Sequence, residues 1–306
     1  MSPSAGPAGA GMRVGFDIGG TKIAGAAFAA DGRMLAEVRA DTPRDFPETI
    51  DCLATLTGRL GERSGVAPER VGMCMPGQIG RDGMIRTCVN LSWLIGRPLR
   101  DALGDRLGLP VALANDGNCF ALSEAVDGAG RDAAVVFGMT LGTGVGGGLV
   151  IERRIVAGAN ALAGEWGHVR FPFDPAVDPE PILCPCGRIG CVETMLRGRA
   201  LHDEYRRLGG GEAAAAPEVV ARAGEDALAA RAIETYCDRM ARALVDVIHL
   251  VDPDVIVVGG GLSRLPALFE QVPAGLVRYA IGPIGHTRFL PAAFGGESGV
   301  RGAAAL

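Results

Sequence analysis

Three cysteines lie within eight residues in the stretch CPCGRIGC, residues 184–191. Cys184, Cys186 and Cys191 can supply three thiolates, and His168 in GEWGH, sixteen residues before Cys184, can supply an imidazole. Zinc prefers four such sulfur and nitrogen ligands in a tetrahedron, and four protein ligands leave no open position for an activated water. The spacing therefore predicts a structural Zn²⁺ site, the alternative being three idle thiols.

Two glycine-rich turns have the composition of phosphate-binding loops. The first, in FDIGGTK, contains Asp17, Gly19, Gly20, Thr21 and Lys22. The second, in LGTGVGGG, contains Gly142, Thr143 and Gly144, and a third glycine run contains Gly259, Gly260 and Gly261. Glycines let backbone N–H groups approach phosphate oxygens, and a carboxylate such as that of Asp17 can hold Mg²⁺ through water. For the first turn alone, a plain β-hairpin is the alternative.

The second turn also contains the dinucleotide-binding pattern G-x-G-x-x-G, at Gly142, Gly144 and Gly147. That pattern requires a helix directly after the glycines. Here GGGLVIERRIV continues as a strand, so the Rossmann interpretation is disfavoured. The sequence also lacks a Walker A motif.

A carboxylate suited to general base catalysis occurs in ANDGN, where Asp116 follows a short strand and begins a helix. Phosphoryl transfer needs such a carboxylate near the attacking hydroxyl, together with a charge clamp on the phosphates. The helix dipole favours the ionised form at this position. The alternative is that Asn115 or Asp116 is only the helix cap.

The hydrophobic pattern predicts the elements that position these residues. Strands are expected at MRVGFD, KIAGAAFA, MLAEVRA, VGMCMP, VALA and DPDVIVV, and helices at about 47–63, 98–107, from 116, at about 226–250 and at the C-terminus. The stretch AAVVFGMTLGTGVGGGLVIERRIV repeats the strand, glycine turn and returning strand of the first segment. This repeat predicts two related lobes that each contribute a loop to one cleft.

Length and composition favour a two-domain α/β protein, since the 306 residues include 47 glycines and only 5% aromatic residues. The net charge is −5, and no run of Lys or Arg could follow a phosphate backbone, so nucleic acid is not expected as a partner. Lys22 is the only lysine; every other basic residue is Arg.

The N-terminal twelve residues lack the basic start and apolar segment of a secretory signal. No stretch approaches the ~20 apolar residues of a membrane span. We therefore expect a cytoplasmic protein with no membrane partner. In that reducing compartment, cysteines act as free thiols or metal ligands, and the five cysteines outside CPCGRIGC are expected to be small buried residues.

Taken in order, FDIGGTK, MPG, ANDGNCFALSEA, LGTGVGGG, AGEWGH, CPCGRIGCVET, DPDVIVVGGGLS and GVRGAAAL resemble the ROK family of bacterial sugar kinases and repressors. The resemblance runs from about Met12 to the C-terminus. It implies the two-lobed actin-like, ribonuclease H-like sugar kinase fold with an interlobe cleft. Residues 1–120 plus about 288–306 are expected in a small N-terminal lobe, and residues 121–287 in a larger lobe with the zinc loop.

The resemblance also implies roles for individual residues. Asp116 is expected to be the general base, and the three glycine runs, with Asp17, Thr21, Lys22 and Thr143, are expected to bind ATP with Mg²⁺. Sugar hydroxyls are expected to contact Asn90, Asn115, Asp116, Glu165, His168 and Glu193. The cysteines and His168 match the family's zinc motif. Arg197 and Arg199 flank Gly198, where the family more often has a Ser-Gly turn. The sequence therefore does not define the entrance of the cleft.

The function expected from this resemblance is an ATP-dependent hexose kinase that phosphorylates a 6-hydroxyl, as a homodimer. Fructose is the favoured substrate, with mannose as a second; N-acetylglucosamine kinase and glucokinase are the alternatives. A non-catalytic sugar sensor and a transcriptional repressor are remote alternatives. The repressor is disfavoured because only about a dozen residues precede the DIGGT strand, too few for a helix-turn-helix domain.

Overall fold

The computed structural model describes residues 12–212 and 215–306. The expectation about a secretory signal concerns Met1–Gly11, which lies outside the described residues. The strands are β1 (Met12–Ile18), β2 (Lys22–Phe28), β3 (Met34–Asp41), β4 (Pro68–Met75), β5 (Gln78–Ile79), β6 (Ile85–Thr87), β7 (Val111–Asn115), β8 (Val135–Leu141), β9 (Val145–Ile151), β10 (Arg154–Ile155), β11 (Val255–Gly259) and β12 (Arg288–Pro291).

The helices are α1 (Phe46–Ser64), α2 (Leu99–Leu107), α3 (Asp116–Val126), α4 (Val192–Leu196), α5 (Gly198–Arg207), α6 (Ala216–Arg222), α7 (Ala227–Val251), α8 (Pro266–Tyr279) and α9 (Ser298–Ala304). Among the described residues, no helix is both long enough and apolar enough to cross a bilayer.

The chain divides into two compact units. Unit 1 contains Met1–Asp127, Ala157–Leu162 and Gly296–Leu306, and unit 2 contains Gly128–Val156 and Ala163–Gly295. Unit 1 has a five-stranded sheet in the order β3-β2-β1-β4-β7, and unit 2 has one in the order β10-β9-β8-β11-β12. In each sheet an antiparallel glycine hairpin, β1–β2 or β8–β9, is joined to two parallel strands. The two sheets thus share the plan that the sequence repeat predicted.

Helix α1 shows how the sequence forms one of the covering elements. Asp45 caps its N-terminus by accepting a hydrogen bond from the N–H of Glu48, and Gly65 ends it in the left-handed conformation with φ of 71°. Its apolar stripe, which includes Leu53, Leu56 and Leu60, is buried in the core of unit 1. Burial of this stripe, rather than local propensity, supplies most of the stability of such a helix.

Helix α9 packs against β1, β4 and α3 through backbone contacts that only glycines allow. A Cβ on Gly72 would lie 1.7 Å from the carbonyl oxygen of Ala303, and one on Gly302 would lie 1.7 Å from that of Cys119. The C-terminal helix, which the sequence predicted, therefore forms part of the core of unit 1.

Three segments differ from the sequence interpretation, and one of them, Ala157–Leu162, is expected in the larger lobe but belongs to unit 1. The segment from 288 was assigned to the N-terminal lobe, but β12 pairs in parallel with β11, which places residues 288–295 in unit 2. Residues 121–127 were assigned to the larger lobe, but α3 continues to Val126 and belongs to unit 1. An amphipathic pattern alone does not show which sheet a terminal strand extends.

Candidate functional site

Asp116 lies where β7 ends and α3 begins. The cap of α3 is its neighbour Asn115, whose Oδ1 accepts hydrogen bonds from the N–H groups of Gly117 (2.8 Å) and Asn118 (3.3 Å). The Nδ2 of Asn115 donates to the carbonyl oxygen of Gly77 at 3.0 Å. Because Asn115 supplies the cap, the exposed Asp116 side chain is not needed for that role and is available for chemistry.

Two opposing effects act on the pKa of Asp116. Solvent reaches this side chain, yet the protein around the carboxylate reduces its hydration, and this raises its pKa above the ordinary value. The N–H of Gly117, 2.9 Å from Oδ1, opposes the shift by stabilising the ionised form. The net direction is upward, toward the stronger basicity that a general base requires.

Asp17, at the end of β1, is the second carboxylate of the site, and its side chain is half-buried. Desolvation raises its pKa, the negative charge of Asp116 raises it further, and a hydrogen bond with the Cys74 thiol lowers it. Since β1, β4 and β7 are parallel, their carboxyl ends meet at one edge of the sheet. Two like charges at this edge make it a place where a divalent cation would be stabilised.

The first glycine turn lies at the same edge of unit 1. The N–H of Gly19 donates to the Lys22 carbonyl at 3.0 Å, and the Thr42 hydroxyl donates to the Gly19 carbonyl at 2.7 Å. A Cβ on Gly20 would lie 2.8 Å from Cβ of Asn90, so glycine is required for Asn90 to approach the turn. Thr21 and Lys22 are exposed. Unit 1 therefore brings together Asp17, this turn, Asn90 and Asp116.

The predicted metal ligands converge in unit 2. Ligand atoms of His168, Cys184, Cys186 and Cys191 all lie within 4.8 Å of one another. Nδ1 of His168 is 3.7 Å from Sγ of Cys184, and Sγ of Cys186 is 3.6 Å from Sγ of Cys191. A disulfide would bring two sulfurs to about 2.05 Å.

These distances fit a tetrahedral metal site. With zinc–sulfur bonds of about 2.3 Å, neighbouring sulfurs in a tetrahedron are about 3.8 Å apart. One thiol of the cluster is more acidic than an ordinary cysteine. Hydrogen bonds from Arg188, mainly from its N–H and also from its guanidinium, lower the pKa of Cys186 to about 6. The donor set of three thiols and one imidazole is the kind that zinc selects.

The loop that carries this cluster is a short hairpin. Leu183 and Ile189 form an antiparallel bridge, the N–H of Cys184 donates to the Arg188 carbonyl at 2.8 Å, and Arg170 bridges Cys191. Gly190, with φ of 77°, allows the chain to turn beside the Phe173 ring. His168 ends a single 3₁₀ turn, Trp166–His168, that follows the half-buried Glu165.

Glu193 lies in the first turn of α4, two residues after the predicted ligand Cys191. Its Oε2 accepts a hydrogen bond from the N–H of Val145 at 3.1 Å, and its Oε1 lies 3.7 Å from Sγ of Cys184. The carboxylate thus contacts both the metal loop and the glycine turn Gly142–Gly144.

The third glycine run also meets this turn. Gly260 has φ of 84°, and a Cβ there would lie 2.3 Å from the carbonyl oxygen of Leu141, the last residue before the turn. Unit 2 therefore brings together Gly142, Thr143 and Gly144, the residues Gly259 to Gly261, Glu193 and the metal cluster. The exposed Thr143 and Gly261 present polar groups that a phosphate could contact.

Sequence reasoning missed two features beside this site. One is Cys74, a fully buried thiol that meets both Asp17 and Cys119; its sequence signal, a lone cysteine in an apolar strand, indicates only burial. The other is an open cavity of about 560 Å³ next to the β5–β6 hairpin. It is lined by Gln78, Gly80, Arg81, Asp82, Arg86, Ala159 and Asn160. The residues that line this cavity come from distant segments of the chain, so no sequence motif contains them all.

The fold and the site together define a class: an actin-like α/β phosphotransferase with one glycine hairpin per unit. The chain belongs to the ROK family, whose model matches residues 13–306. A relative from Escherichia coli O6:H1, named N-acetyl-D-glucosamine kinase, is 38% identical over 304 residues, covering 96% of this chain and 99% of that protein.

Two solved structures extend the comparison. A ROK hexokinase from Thermus thermophilus has a TM-score of 0.82 and 31% identity, covering 96% of this chain and 97% of its own. A ROK family glucokinase from Streptomyces griseus, in complex with glucose and AMPPNP, has a TM-score of 0.74 and 30% identity, covering 96% and 98%. The fold class and family expected from the sequence are confirmed.

Proposed function

We propose that this protein is an ATP-dependent N-acetylglucosamine kinase that transfers the γ-phosphoryl group to the 6-hydroxyl of the sugar. The observation that carries the choice of sugar is the full-length relative named for that activity. This choice replaces fructose, which none of the relatives described above is named for. Family membership and the sugar kinases among its relatives make the chain an ATP-dependent carbohydrate kinase.

In the proposed mechanism Asp116 is the general base. Its carboxylate accepts the proton of the attacking hydroxyl late, as the hydroxyl oxygen reaches a loose, metaphosphate-like phosphorus. The N–H of Gly117 holds the carboxylate oxygen in place. Asp17 supplies a second negative charge at the same edge, and ATP brings Mg²⁺, which that carboxylate would hold through water.

The glycine turns supply the phosphate contacts. The turn at Gly19–Lys22 belongs to unit 1, and the turns at Gly142–Gly144 and Gly259–Gly261 belong to unit 2. Backbone N–H groups in such turns stabilise the equatorial oxygens of the transferred phosphoryl group. Lys22, the only lysine of the chain, is exposed beside the first turn and can add a positive charge.

For the sugar we propose contacts with the residues that the family resemblance implies, Asn90, Asn115, Asp116, Glu165, His168 and Glu193. The Asn115 side chain is held by the helix cap, by Gly77 and by a hydrogen bond with Asp116, so it is fixed beside the carboxylate proposed to meet the sugar. A carboxylate can accept two vicinal hydroxyls at once. Glu165 and Glu193 are therefore suited to a sugar ring.

We propose Zn²⁺ as the metal held by His168, Cys184, Cys186 and Cys191. The four ligands would leave no open position, so the ion would order the loop rather than activate water. Elemental analysis should find about one zinc per chain, and Cys186→Ser should lose most of it. Cys52→Ser, at a half-buried thiol far from the cluster in sequence, is the matched control and should keep the metal. Equal zinc in both variants would contradict the assignment.

The experiment that tests the substrate is ADP release with MgATP and N-acetylglucosamine, glucose, mannose or fructose. We expect kcat/KM for N-acetylglucosamine to exceed that for the other sugars by about tenfold or more, because one acetamido contact is worth about 1–3 kcal/mol. Glucose is the second candidate, since the Streptomyces griseus relative binds it. A preference for fructose would overturn the proposal, and no turnover with any sugar would overturn the kinase assignment.

A dimer stays a prediction of the family resemblance. Sedimentation equilibrium tests it, with an expected mass of twice 31.5 kDa.

A further inference from the structure

The glycine turn Gly142–Gly144 and the start of β9, which follows it, form hydrogen bonds with residues that lie close in sequence to His168 and Cys191. Nε1 of Trp166, two residues before His168, donates to the Gly146 carbonyl at 2.9 Å. The N–H of Gly198, the first residue of α5, donates to the Gly142 carbonyl at 2.8 Å. The N–H of Val145 donates to Glu193 at 3.1 Å. All of these residues belong to unit 2.

Of these contacts, the one from Glu193 involves a charged group. A charged acceptor forms a shorter and stronger hydrogen bond with a backbone N–H than a neutral one does. The carboxylate also lies against the turn itself, since a Cβ on Gly144 would be 2.7 Å from Oε2. An alanine at 144 would thus displace the Glu193 carboxylate, the flexible end of that side chain, without straining its own backbone, because Gly144 is absent from the positive-φ residues of the described chain.

The other oxygen of the same carboxylate faces the metal loop, with Oε1 lying 3.7 Å from Sγ of Cys184. Helix α4 follows Cys191 directly, so the backbone that carries Glu193 is fixed by a metal ligand at its first turn. Glu193 is therefore a physical link between the Cys184–Cys191 loop and the N–H groups of the turn.

We propose that Glu193 is a positioning residue for the phosphate-binding turn, so that order in the metal loop sets the affinity for nucleotide as well as for sugar. The inference rests on the proposed role of Gly142–Gly144 in ATP binding. A Glu193 that served only as a sugar ligand would leave nucleotide affinity unchanged when no sugar is present. The two roles are therefore separable by binding measurements.

The first test is calorimetric binding of MgAMPPNP without sugar. Glu193→Ala removes the acceptor of the Val145 N–H, and we expect the Kd for the nucleotide to rise about tenfold. Glu193→Gln keeps an acceptor oxygen, so its Kd should stay within about threefold of wild type. Glu165→Gln changes another carboxylate proposed to bind sugar and is the matched control; its nucleotide Kd should not change.

A double-mutant cycle keeps the test informative if Glu193→Ala alone perturbs the fold. Gly144→Ala collides with the Glu193 carboxylate, and Glu193→Ala removes the collision, so the two effects on nucleotide Kd should be strongly non-additive. Gly142→Ala places its Cβ in open space, with nothing within 4 Å, and should be additive with Glu193→Ala. Fluorescence of Trp166, in a Trp93→Phe background, reports whether the turn keeps its environment in each variant.

The outcomes separate the two claims. If wild type fails to bind MgAMPPNP, the proposed function fails. If wild type binds and Glu193→Ala changes only sugar affinity, the positioning role is overturned while the kinase assignment stands. Chelation of the metal from wild type should raise the nucleotide Kd in the same direction as Glu193→Ala, and an unchanged Kd would also overturn the link.

Discussion

At the scale of single residues, Asp116 owes its suitability to its neighbour. Asn115 takes over the cap of α3, so Asp116 is spared that structural duty although it occupies the first turn. Reduced hydration makes its carboxylate a stronger base, while the Gly117 N–H keeps it oriented. Asp116 therefore lies in the first turn of α3 without serving as its cap, because Asn115 caps the helix.

Asp116→Asn should lower kcat by about 10²- to 10⁴-fold, since an amide cannot accept the proton of the sugar hydroxyl. Sugar Kd should change little, because the amide keeps its size and polarity. Steady-state ADP release and calorimetry measure the two effects. Asp127→Asn, at the opposite end of the same helix, is the control and should leave kcat near wild type. A fully active Asp116→Asn enzyme would refute the base assignment.

The same carboxylate predicts a pH dependence. The base acts only when ionised, and reduced hydration raises its folded-state pKa above the ordinary value of an Asp carboxyl. Turnover should therefore fall as the pH decreases through this raised pKa, at a higher pH than for an unperturbed Asp. A kcat/KM profile between about pH 4.5 and 8 measures this limb. A profile that stays flat over this whole range would contradict it, because it would place the pKa at or below the ordinary value of about 3.9.

At the scale of elements, α9 depends on glycines that face backbone atoms. Gly302→Ala forces a Cβ to within 1.7 Å of the Cys119 carbonyl oxygen, and we expect a loss of about 3 kcal/mol or more in unfolding free energy. Gly58→Ala is the matched control: it is exposed inside α1 with nothing within 4 Å. Ala there should stabilise by about 0.5–1 kcal/mol. Urea denaturation of both variants checks the opposite signs.

A buried ion-pair network ties α5 and α7 to the segment that precedes the metal loop. Asp178, with its side chain 1% exposed, accepts hydrogen bonds from Arg239 Nε (2.8 Å) and Arg242 Nη1 (2.6 Å). Glu204 accepts from Arg239 and Arg207. Burial raises the pKa of Asp178, but hydrogen bonds led by that from Arg242 outweigh it, and the net pKa is lowered.

Asp178→Asn should cost about 3–5 kcal/mol near neutral pH, because two arginines lose their buried counter-charge. A lowered pKa contributes stability that is present above the unfolded pKa of about 3.9 and lost as the pH falls through the lower folded value. The difference from wild type should therefore shrink below about pH 4. Asp132→Asn breaks an exposed pair with Arg288 and should show a much smaller loss. Equal losses would contradict the role of burial.

At the scale of the whole molecule, each unit has its own hydrophobic core and one tryptophan, Trp93 in unit 1 and Trp166 in unit 2. We expect a chelator to lower the unfolding temperature reported by Trp166 more than that reported by Trp93, because the metal ligands lie in unit 2. Single-tryptophan variants, Trp93→Phe and Trp166→Phe, measure the two transitions. An equal shift at both reporters would contradict a local effect of the metal.

Much of the fold could be read from the sequence, because glycine turns and apolar strands follow local rules. The helix predicted at about 226–250 is observed as α7, Ala227–Val251, and every predicted strand exists. The site residues were found through motifs with fixed spacing, such as CPCGRIGC. The contact of Glu193 with Val145 had no such signal, because it joins residues 48 positions apart.

Other features depend on contacts between residues that are distant in sequence, and local sequence patterns do not predict such contacts. Cys74 reads as an ordinary core residue until α3 and α9 bring Cys119 and Gly299 next to it. Arg239 and Arg242 read as solvent-facing charges on a helix, whereas the structure buries both with Asp178. Residue 288 could not be placed because its strand pairs across the sequence with β11.

Unit 1 is assembled from three separate pieces of chain, and its last piece, Gly296–Leu306, is synthesised after all of unit 2. During translation, β1, β4 and α3 emerge early, but the helix that packs on all three leaves the ribosome only after unit 2. Unit 2 can bury its core while the N-terminal sheet still exposes one apolar face. The order of folding in the cell should therefore run against the order of synthesis, and that exposed face is where a chaperone would bind.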